Sequence, residues 1–238
     1  MKGDQHLRLC LLGGFQLLVN SEAVLVPMQA QRLLGFLALR AVETRATVAG
    51  TLWGDSPGPR AAANLRNTVW RIRLASDSLL HCGRQAIGLG PTVALDLHDA
   101  RRWAQELLDG SSPDSPAGMI DVLDRDLLPT WDEDWLLIER ERQRQLRLHA
   151  LEALSDRLSS AGRHPEAVAA ALAAVGAEPL RESAQRTLIH AHLAERNVSE
   201  AVRQFESYRR LLDAELAIAP SAELARLLYA TVRMRTVG

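Results

Sequence analysis

Glycine, proline and asparagine divide the first 95 residues into short pieces, and this division limits the folds that the chain can adopt. Residues 7–26 are short apolar runs separated by a Gly-Gly pair and an Asn-Ser pair. This pattern predicts a small antiparallel meander of three strands that ends at Pro27. Residues 28–42 then repeat leucine at intervals of three and four, which predicts an amphipathic helix. A second, short helix is expected from Thr47, as its N-cap, to Trp53.

A third helix and a hairpin follow. The stretch "GDSPGP" (54–59) predicts a loop, because neither proline nor glycine continues a helix there. Residues 59–74, "PRAAANLRNTVWRIRL", predict the third helix, and residues 79–90 predict a hairpin with Arg84 and Gln85 at its tip. Strands, three helices and a terminal hairpin are the order of a winged helix-turn-helix domain, in which the third helix enters DNA and the hairpin is the wing.

The second half of the sequence is expected to be helical from about residue 99 onward. Residues 109–118, "DGSSPDSPAG", form its one loop without predicted structure. Thr130 and Glu133 have the spacing of a capping box, which predicts that a long helix begins there and covers roughly residues 132–160.

A repeat of 34 residues marks the end of the chain. The segments 164–172, "HPEAVAAAL", and 198–206, "VSEAVRQFE", share a Glu-Ala-Val triplet at this offset, which is the period of the tetratricopeptide repeat. Asn197 and Glu200 predict a capping box at the second copy. Helices stacked in this way form a groove, and we expect that groove to bind a protein or a second subunit.

Charge separates the two halves. Residues 1–95 contain ten Lys and Arg against five Asp and Glu, whereas residues 96–238 contain eighteen against twenty-four. A basic half joined to an acidic half is typical of a DNA-binding domain attached to a domain of another function. We therefore predict a mostly α chain of two domains. Residues 1–95 are expected to form a winged helix-turn-helix DNA-binding domain with small antiparallel strands, and residues 96–238 a tetratricopeptide-like helical domain.

The third helix carries the residues that we expect to contact DNA. One stripe is predicted to face the domain core: Ala62, Leu65, Val69 and Ile72. A second stripe is expected on the far side and contains only arginine and asparagine: Arg60, Asn64, Asn67 and Arg71. Arginine pairs well with guanine and asparagine with adenine in the major groove, so these side chains are predicted to read bases.

Three further arginines are assigned to the DNA backbone or the wing. Arg66 and Arg73 lie on the flank of the third helix and suit phosphates, and Arg84 is the single cation at the wing tip. Trp70 is expected to pack against the wing or a neighbouring helix.

The sequence contains no recognisable catalytic or metal-binding arrangement. Only His190 and His192 are close among the seven histidines, and on a helix they point in different directions. Cys10 and Cys82 fit neither a metal site nor a disulfide framework. We expect no enzyme activity, no metal and no cofactor. No apolar stretch reaches the length of a membrane span and residues 1–12 do not form a signal peptide, so the prediction is a cytoplasmic protein without a membrane partner.

Several segments resemble a known family over nearly the whole chain. The first half resembles the OmpR-type winged helix of the SARP family of bacterial transcriptional activators in "LRLCLLGGFQL", "QRLLGFLALRA", "LWGD" and "ANLRNTVWRIR". The second half resembles the bacterial transcriptional activator domain of the same family in segments 127–154, 178–189 and 215–228. The sequence contains no G-x-x-x-x-G-K-[ST] phosphate-binding loop and no acidic receiver, so activation by nucleotide or by phosphorylation is not expected from the resemblance.

The resemblance implies an activator that binds direct repeats in promoter DNA as a homodimer and recruits RNA polymerase. It also implies that the loop between the second and third helices contacts polymerase, with Asp55 and Ser56 as the polar residues. A different hypothesis stays open, because the predicted wing is poor in charge. In that hypothesis the chain is a tetratricopeptide-like protein–protein adaptor whose winged domain no longer binds DNA.

Overall fold

The computed structural model describes residues 5–110 and 118–236, and the chain divides into two compact units. The first unit contains the chain up to Asp99 together with Asp126–Glu141, and the second contains Ala100–Arg125 and the chain from Arg142 onward. The sequence predicts a single domain boundary, between residues 95 and 96. The two divisions differ because a segment distant in sequence returns to the first unit.

The first unit consists of short strands and three main helices. In chain order they are β1 (Leu7–Cys10), β2 (Gln16–Val19), β3 (Glu22–Ala23), α1 (Met28–Arg40), β4 (Val42–Thr44), α2 (Arg45–Leu52), α3 (Gly58–Ala75), β5 (Leu80–Cys82), β6 (Ala86–Leu89) and β7 (Val93–Leu95). The helices that follow are α4 (Asp96–Leu108), α5 (Met119–Leu123), α6 (Asp134–Ser160), α7 (His164–Ala177), α8 (Glu182–Ala194), α9 (Val198–Leu216) and α10 (Ala222–Thr236).

The predicted meander is confirmed, and it is part of a larger sheet. β1 pairs with β2 and β2 with β3, both antiparallel, and β7 adds to the free edge of β1 in parallel register. Leu7 and Leu9 alternate with half-buried residues along β1 and are fully buried. This alternation places one face of the sheet on the core.

The three helices form the predicted helix-turn-helix, and the hairpin forms the predicted wing. Leu33 and Leu37 of α1 and Leu65 and Ile72 of α3 are almost completely buried. Hairpin β5–β6 is antiparallel and is joined by β4 into a three-stranded sheet. The prediction that Thr47 caps the second helix is wrong: the N-cap is Thr44, whose hydroxyl accepts a hydrogen bond from the backbone N–H of Thr47 at 3.1 Å.

The segment 126–141 is held in the first unit by backbone and aromatic contacts. The backbone N–H of Gly13 donates to the carbonyl of Asp126 at 2.7 Å, and the ring of Trp131 stacks on Phe15 at 6.0 Å between centroids. A Cβ atom on Gly35 would lie 3.1 Å from Trp131, so the glycine lets the indole approach α1 closely. The predicted capping box of Thr130 and Glu133 is wrong, because α6 begins only at Asp134.

The second unit is helical, and its helices follow the predicted 34-residue phase. α7 begins at His164 and α9 at Val198, and the buried residues of α7 are all alanines, which allow close helix packing. Asn197 precedes α9 as predicted, but its side chain makes no capping hydrogen bond and Glu200 pairs with Arg203 instead. Residues 111–117 of the predicted loop lie outside the described residues.

Candidate nucleic-acid interface

Helix α3 begins where proline permits it and buries one regular stripe. Pro57 precedes the helix and Pro59 lies in its first turn, where a missing N–H costs no helical hydrogen bond. The buried residues lie at intervals of three and four: Ala61, Leu65, Thr68, Val69 and Ile72. The predicted core stripe is thus confirmed at three of its four positions, and Ala61 replaces the half-buried Ala62.

The burial of α3 changes the predicted direction of its polar stripe. At about 100° per residue, the stripe of Arg60, Asn64, Asn67 and Arg71 is centred about 110° from the buried stripe and not opposite to it. Arg60, Asn67 and Arg71 are exposed, whereas Asn64 is half-buried. Arg66 and Arg73, also exposed, lie at a similar angle on the other flank.

Apolar side chains occupy the direction that points away from the core. Trp70 and Leu74 lie about 160° from the buried stripe and are 62% and 68% exposed. The expectation that Trp70 packs against the wing or a neighbouring helix is therefore wrong for most of its side chain.

Three arginines from different elements line one cleft. The cleft has a volume of about 840 Å³ and lies between α2, α3 and the wing tip. Arg45, Arg66 and Arg84 line it, and small residues such as Ala49 form much of its wall. The wing tip is tied to the start of α2, because the backbone N–H of Arg45 donates to the carbonyl of Gln85 at 2.8 Å.

Arg45 was not identified from the sequence. The sequence feature that could have identified it is the N-cap of α2. Because Thr44 is the N-cap, Arg45 is the first residue of α2. The pairing of β4 with β6 then brings this residue to the wing.

The arginines of this surface have no acidic partner within the described ranges. This holds for Arg45, Arg60, Arg66, Arg71, Arg73 and Arg84. Several arginines elsewhere in the chain are paired with acid. Arg32 pairs with Glu133, and Arg163 donates to Glu166 and thereby lowers the pKa of that carboxyl. The cations of α3 and the wing are thus available to an external anion.

The loop between α2 and α3 is short and turn-like. The backbone N–H of Ser56 donates to the carbonyl of Trp53 at 2.9 Å. Asp55 is exposed, whereas Ser56 is half-buried and lines the cleft. Of the two predicted polymerase-contacting residues, Asp55 therefore presents the more accessible side chain.

The second unit has a smaller polar cavity of about 350 Å³ lined by residues of α6, α8 and α10. It contains Asp156, Arg186 and His190, and burial raises the pKa of the Asp156 carboxyl. Over the parts of the chain that the structure covers, no cluster of three or more acidic, histidine or cysteine side chains is arranged to hold a metal ion. No helix in those parts combines the length and apolar character needed to cross a membrane.

Comparison with known proteins finds similar sequences and a similar fold. A family model described as "Bacterial transcriptional activator domain" matches residues 121–233. The chain is 32% identical over 237 residues to the Regulatory protein AfsR of Streptomyces griseus and, equally, to that of Streptomyces coelicolor. In each case the alignment covers 93% of the chain but 24% of the relative, so the chain spans about a quarter of the length of these proteins.

A solved structure shares the fold. The chain of Mycobacterium tuberculosis EmbR, solved in complex with a low-affinity phosphopeptide, superposes with a TM-score of 0.69 at 18% identity. The superposition covers 97% of the present chain and 66% of EmbR. The winged-helix fold, the activator-domain match over residues 121–233 and these relatives agree with the motifs of the sequence, and the chain is similar to regulators of the SARP type.

Proposed function

We propose that this regulator is a sequence-specific DNA-binding activator that acts in the cytoplasm. In this proposal α3 enters the major groove of promoter direct repeats, the chain binds them as a homodimer, and the bound protein recruits RNA polymerase. The observation that carries the proposal is the set of six arginines on α2, α3 and the wing that lack acidic partners among the described residues. A polyanion supplies the partners that the protein itself does not.

The proposed DNA contacts fall into two groups, phosphate contacts and base contacts, according to the direction in which each side chain of this surface lies. Arg45, Arg66 and Arg84 line the cleft between α2, α3 and the wing, and we assign them to phosphates. Arg73 lies on the same flank of α3 as Arg66 and takes the same role.

The opposite flank of α3 is assigned to bases. Arg60, Asn64, Asn67 and Arg71 offer the guanidinium and amide groups that pair with guanine and adenine edges. Of these, Asn67 lies nearest to the outward direction of α3.

The second unit is assigned to protein contacts. Its arginines Arg163, Arg203 and Arg209 are already paired with glutamates of their own helix or helix start, so they offer little to phosphate. Stacked helices of this kind present a groove to a partner chain. RNA polymerase and the second subunit are the partners that the family suggests.

DNA binding by the full chain is tested by its dependence on salt. Fluorescence anisotropy of a labelled duplex of about 30 base pairs, measured between 50 and 200 mM salt, gives the slope of log affinity against log salt, about 0.9 for each phosphate neutralised. The double variant Arg66→Ala/Arg84→Ala should lower this slope by nearly two. The matched control Arg203→Ala/Arg209→Ala removes the same charge from α9 and should leave the slope unchanged.

The result also separates the two hypotheses of function. A salt-dependent slope that falls only in the α3 and wing variant supports the activator. No binding at 50 mM salt, or equal loss in both double variants, would reject it in favour of a protein–protein adaptor.

Polymerase contact through the loop before α3 has its own test. Asp55→Ala should lower transcription from a bound promoter in a reconstituted assay and leave the affinity for the promoter unchanged, because Asp55 is exposed and lies outside the cleft. Equal loss of affinity and transcription would show that the loop only supports α3.

A further inference from the structure

The outermost side chains of α3 are apolar, and we infer that Trp70 reads the methyl group of a thymine in the major groove. We call Ala63, Trp70 and Leu74 the outer ridge of α3. These residues lie within about 40° of each other and farthest from the buried stripe. The inference rests on the proposed DNA binding and adds a residue that discriminates between bases.

The exposed apolar side chains of the outer ridge indicate that it is a binding surface. Trp70 is 62% exposed and Leu74 is 68% exposed, although both lie on a well-packed helix. Exposed apolar residues that adjoin one another on a helix are more often contact surfaces than single exposed leucines are.

The charges beside the outer ridge favour a DNA duplex over a second copy of the chain as the binding partner. Arg66 and Arg73 lie along one side of it, and Arg60 and Arg71 lie along the other. A second copy of the ridge would bring the same four cations against these and would be repelled. A duplex instead brings phosphates to both sides, since the major groove is about 12 Å wide and a helix with its side chains is about 10–12 Å across.

The floor of the major groove then determines what the ridge meets. The thymine C5-methyl is the apolar group that base edges present there, and apolar side chains contact it in known complexes. An indole offers a broad apolar surface at a low cost in side-chain entropy. Trp70 therefore favours a thymine over a cytosine or a purine at the base pair beneath it.

The test removes the methyl group and nothing else. A site is first selected from a random duplex library with the full chain, and each of its thymines is then replaced singly by deoxyuridine. For the unaltered protein, one or two of these replacements should weaken binding about fourfold, the effect of exposing one methylene-sized apolar group. The other replacements should have no effect.

Variants of Trp70 locate the effect. In Trp70→Ala, binding to the thymine duplex is weaker and the deoxyuridine replacement costs nothing more. Trp70→Phe keeps an apolar ring and should keep the penalty. The control Leu172→Ala removes an exposed apolar residue of α7 and should keep both the affinity and the penalty.

Three results would overturn the inference. They are a selected site in which no deoxyuridine replacement matters, the same penalty in Trp70→Ala as in the unaltered protein, and a change of oligomeric state in Trp70→Ala with unchanged duplex affinity. Failure of the chain to bind any duplex rejects the proposed function itself, and this inference with it. Salt-dependent binding without a deoxyuridine effect rejects this inference alone.

Discussion

The guanidinium of Arg32 on α1 forms a bidentate ion pair with the carboxylate of Glu133, although the residues are 101 positions apart in sequence. Nη2 lies 2.9 Å from Oε2, and Nε donates to Oε1. Both side chains are largely buried, and the indole N–H of Trp135 donates to the same carboxylate at 2.8 Å. This ion pair joins the returning segment 126–141 to the helix-turn-helix.

Glu133→Gln should lower the free energy of unfolding of the first unit by about 2 kcal/mol, because the amide keeps the shape but loses the charge-assisted pair. Urea unfolding followed by tryptophan fluorescence measures this, since Trp53, Trp70, Trp131 and Trp135 all belong to the first unit. Glu22→Gln, at an exposed site on β3, is the control and should change stability little. Equal effects of the two substitutions would contradict a stabilising role of the pair.

The buried carboxylate of Asp96 should make the stability of the first unit depend on pH. Its oxygens accept hydrogen bonds from the backbone N–H groups of Leu11, at 2.9 Å, and Leu12, at 3.0 Å. Burial nevertheless raises the pKa of Asp96 above the ordinary value for aspartate. The folded state then holds the proton more tightly than the unfolded state, so this contribution to stability falls as pH rises through the raised pKa.

Asp96→Asn removes this titration and also turns an amide N–H₂ toward a backbone donor. We expect it to cost about 1–3 kcal/mol, since one buried donor loses its acceptor. The difference in free energy of unfolding between the unaltered protein and Asp96→Asn should be larger near pH 4 than near pH 7. The reason is that only the unaltered protein gains stability when Asp96 is protonated. Urea unfolding at both pH values measures it, and a deficit that grows toward pH 7 would contradict the raised pKa.

Gly90→Ala should destabilise the wing by about 3 kcal/mol or more. A Cβ atom at this position would lie 1.8 Å from the carbonyl oxygen of Ser78, which is backbone and cannot rotate away. Gly50 of α2 provides the matched control, because a Cβ atom there meets nothing within 4 Å. Gly50→Ala should stabilise the helix by about 0.5–1 kcal/mol. Thermal unfolding of the two variants compares them, and a neutral Gly90→Ala would show that the turn can shift.

Substitutions on the two flanks of α3 should affect DNA binding differently. Asn64→Ala or Arg71→Ala should cost about 1–3 kcal/mol on a selected site and relax the sequence preference. Arg66→Ala should instead weaken all duplexes alike and lower the salt slope by about one. Selection from a random duplex library, followed by anisotropy titrations, distinguishes the two patterns. Full specificity in the Asn64 and Arg71 variants would remove these residues from base reading.

The sequence determined the parts of this protein that depend on neighbours along the chain. The bounds of α1 and α3, the meander, the wing and the 34-residue phase of α7 and α9 all follow local periodicity, which a single segment carries by itself. The general assignment of α3 and the wing as the basic surface followed in the same way.

Only the tertiary structure decided which residues meet across long separations. Val42–Thr44 and Val93–Leu95 are three-residue strands whose partners are tens of residues away, and no local pattern identifies such short strands. The return of residues 126–141 rests on contacts such as Arg32 with Glu133, which have no counterpart in local spacing. The pairing of β4 with β6 places Arg45 beside the wing tip. The buried stripe of α3 faces the core in a direction that leaves Trp70 exposed. Periodicity defines the relative angles of side chains on a helix, but packing against other elements selects which angle faces the core.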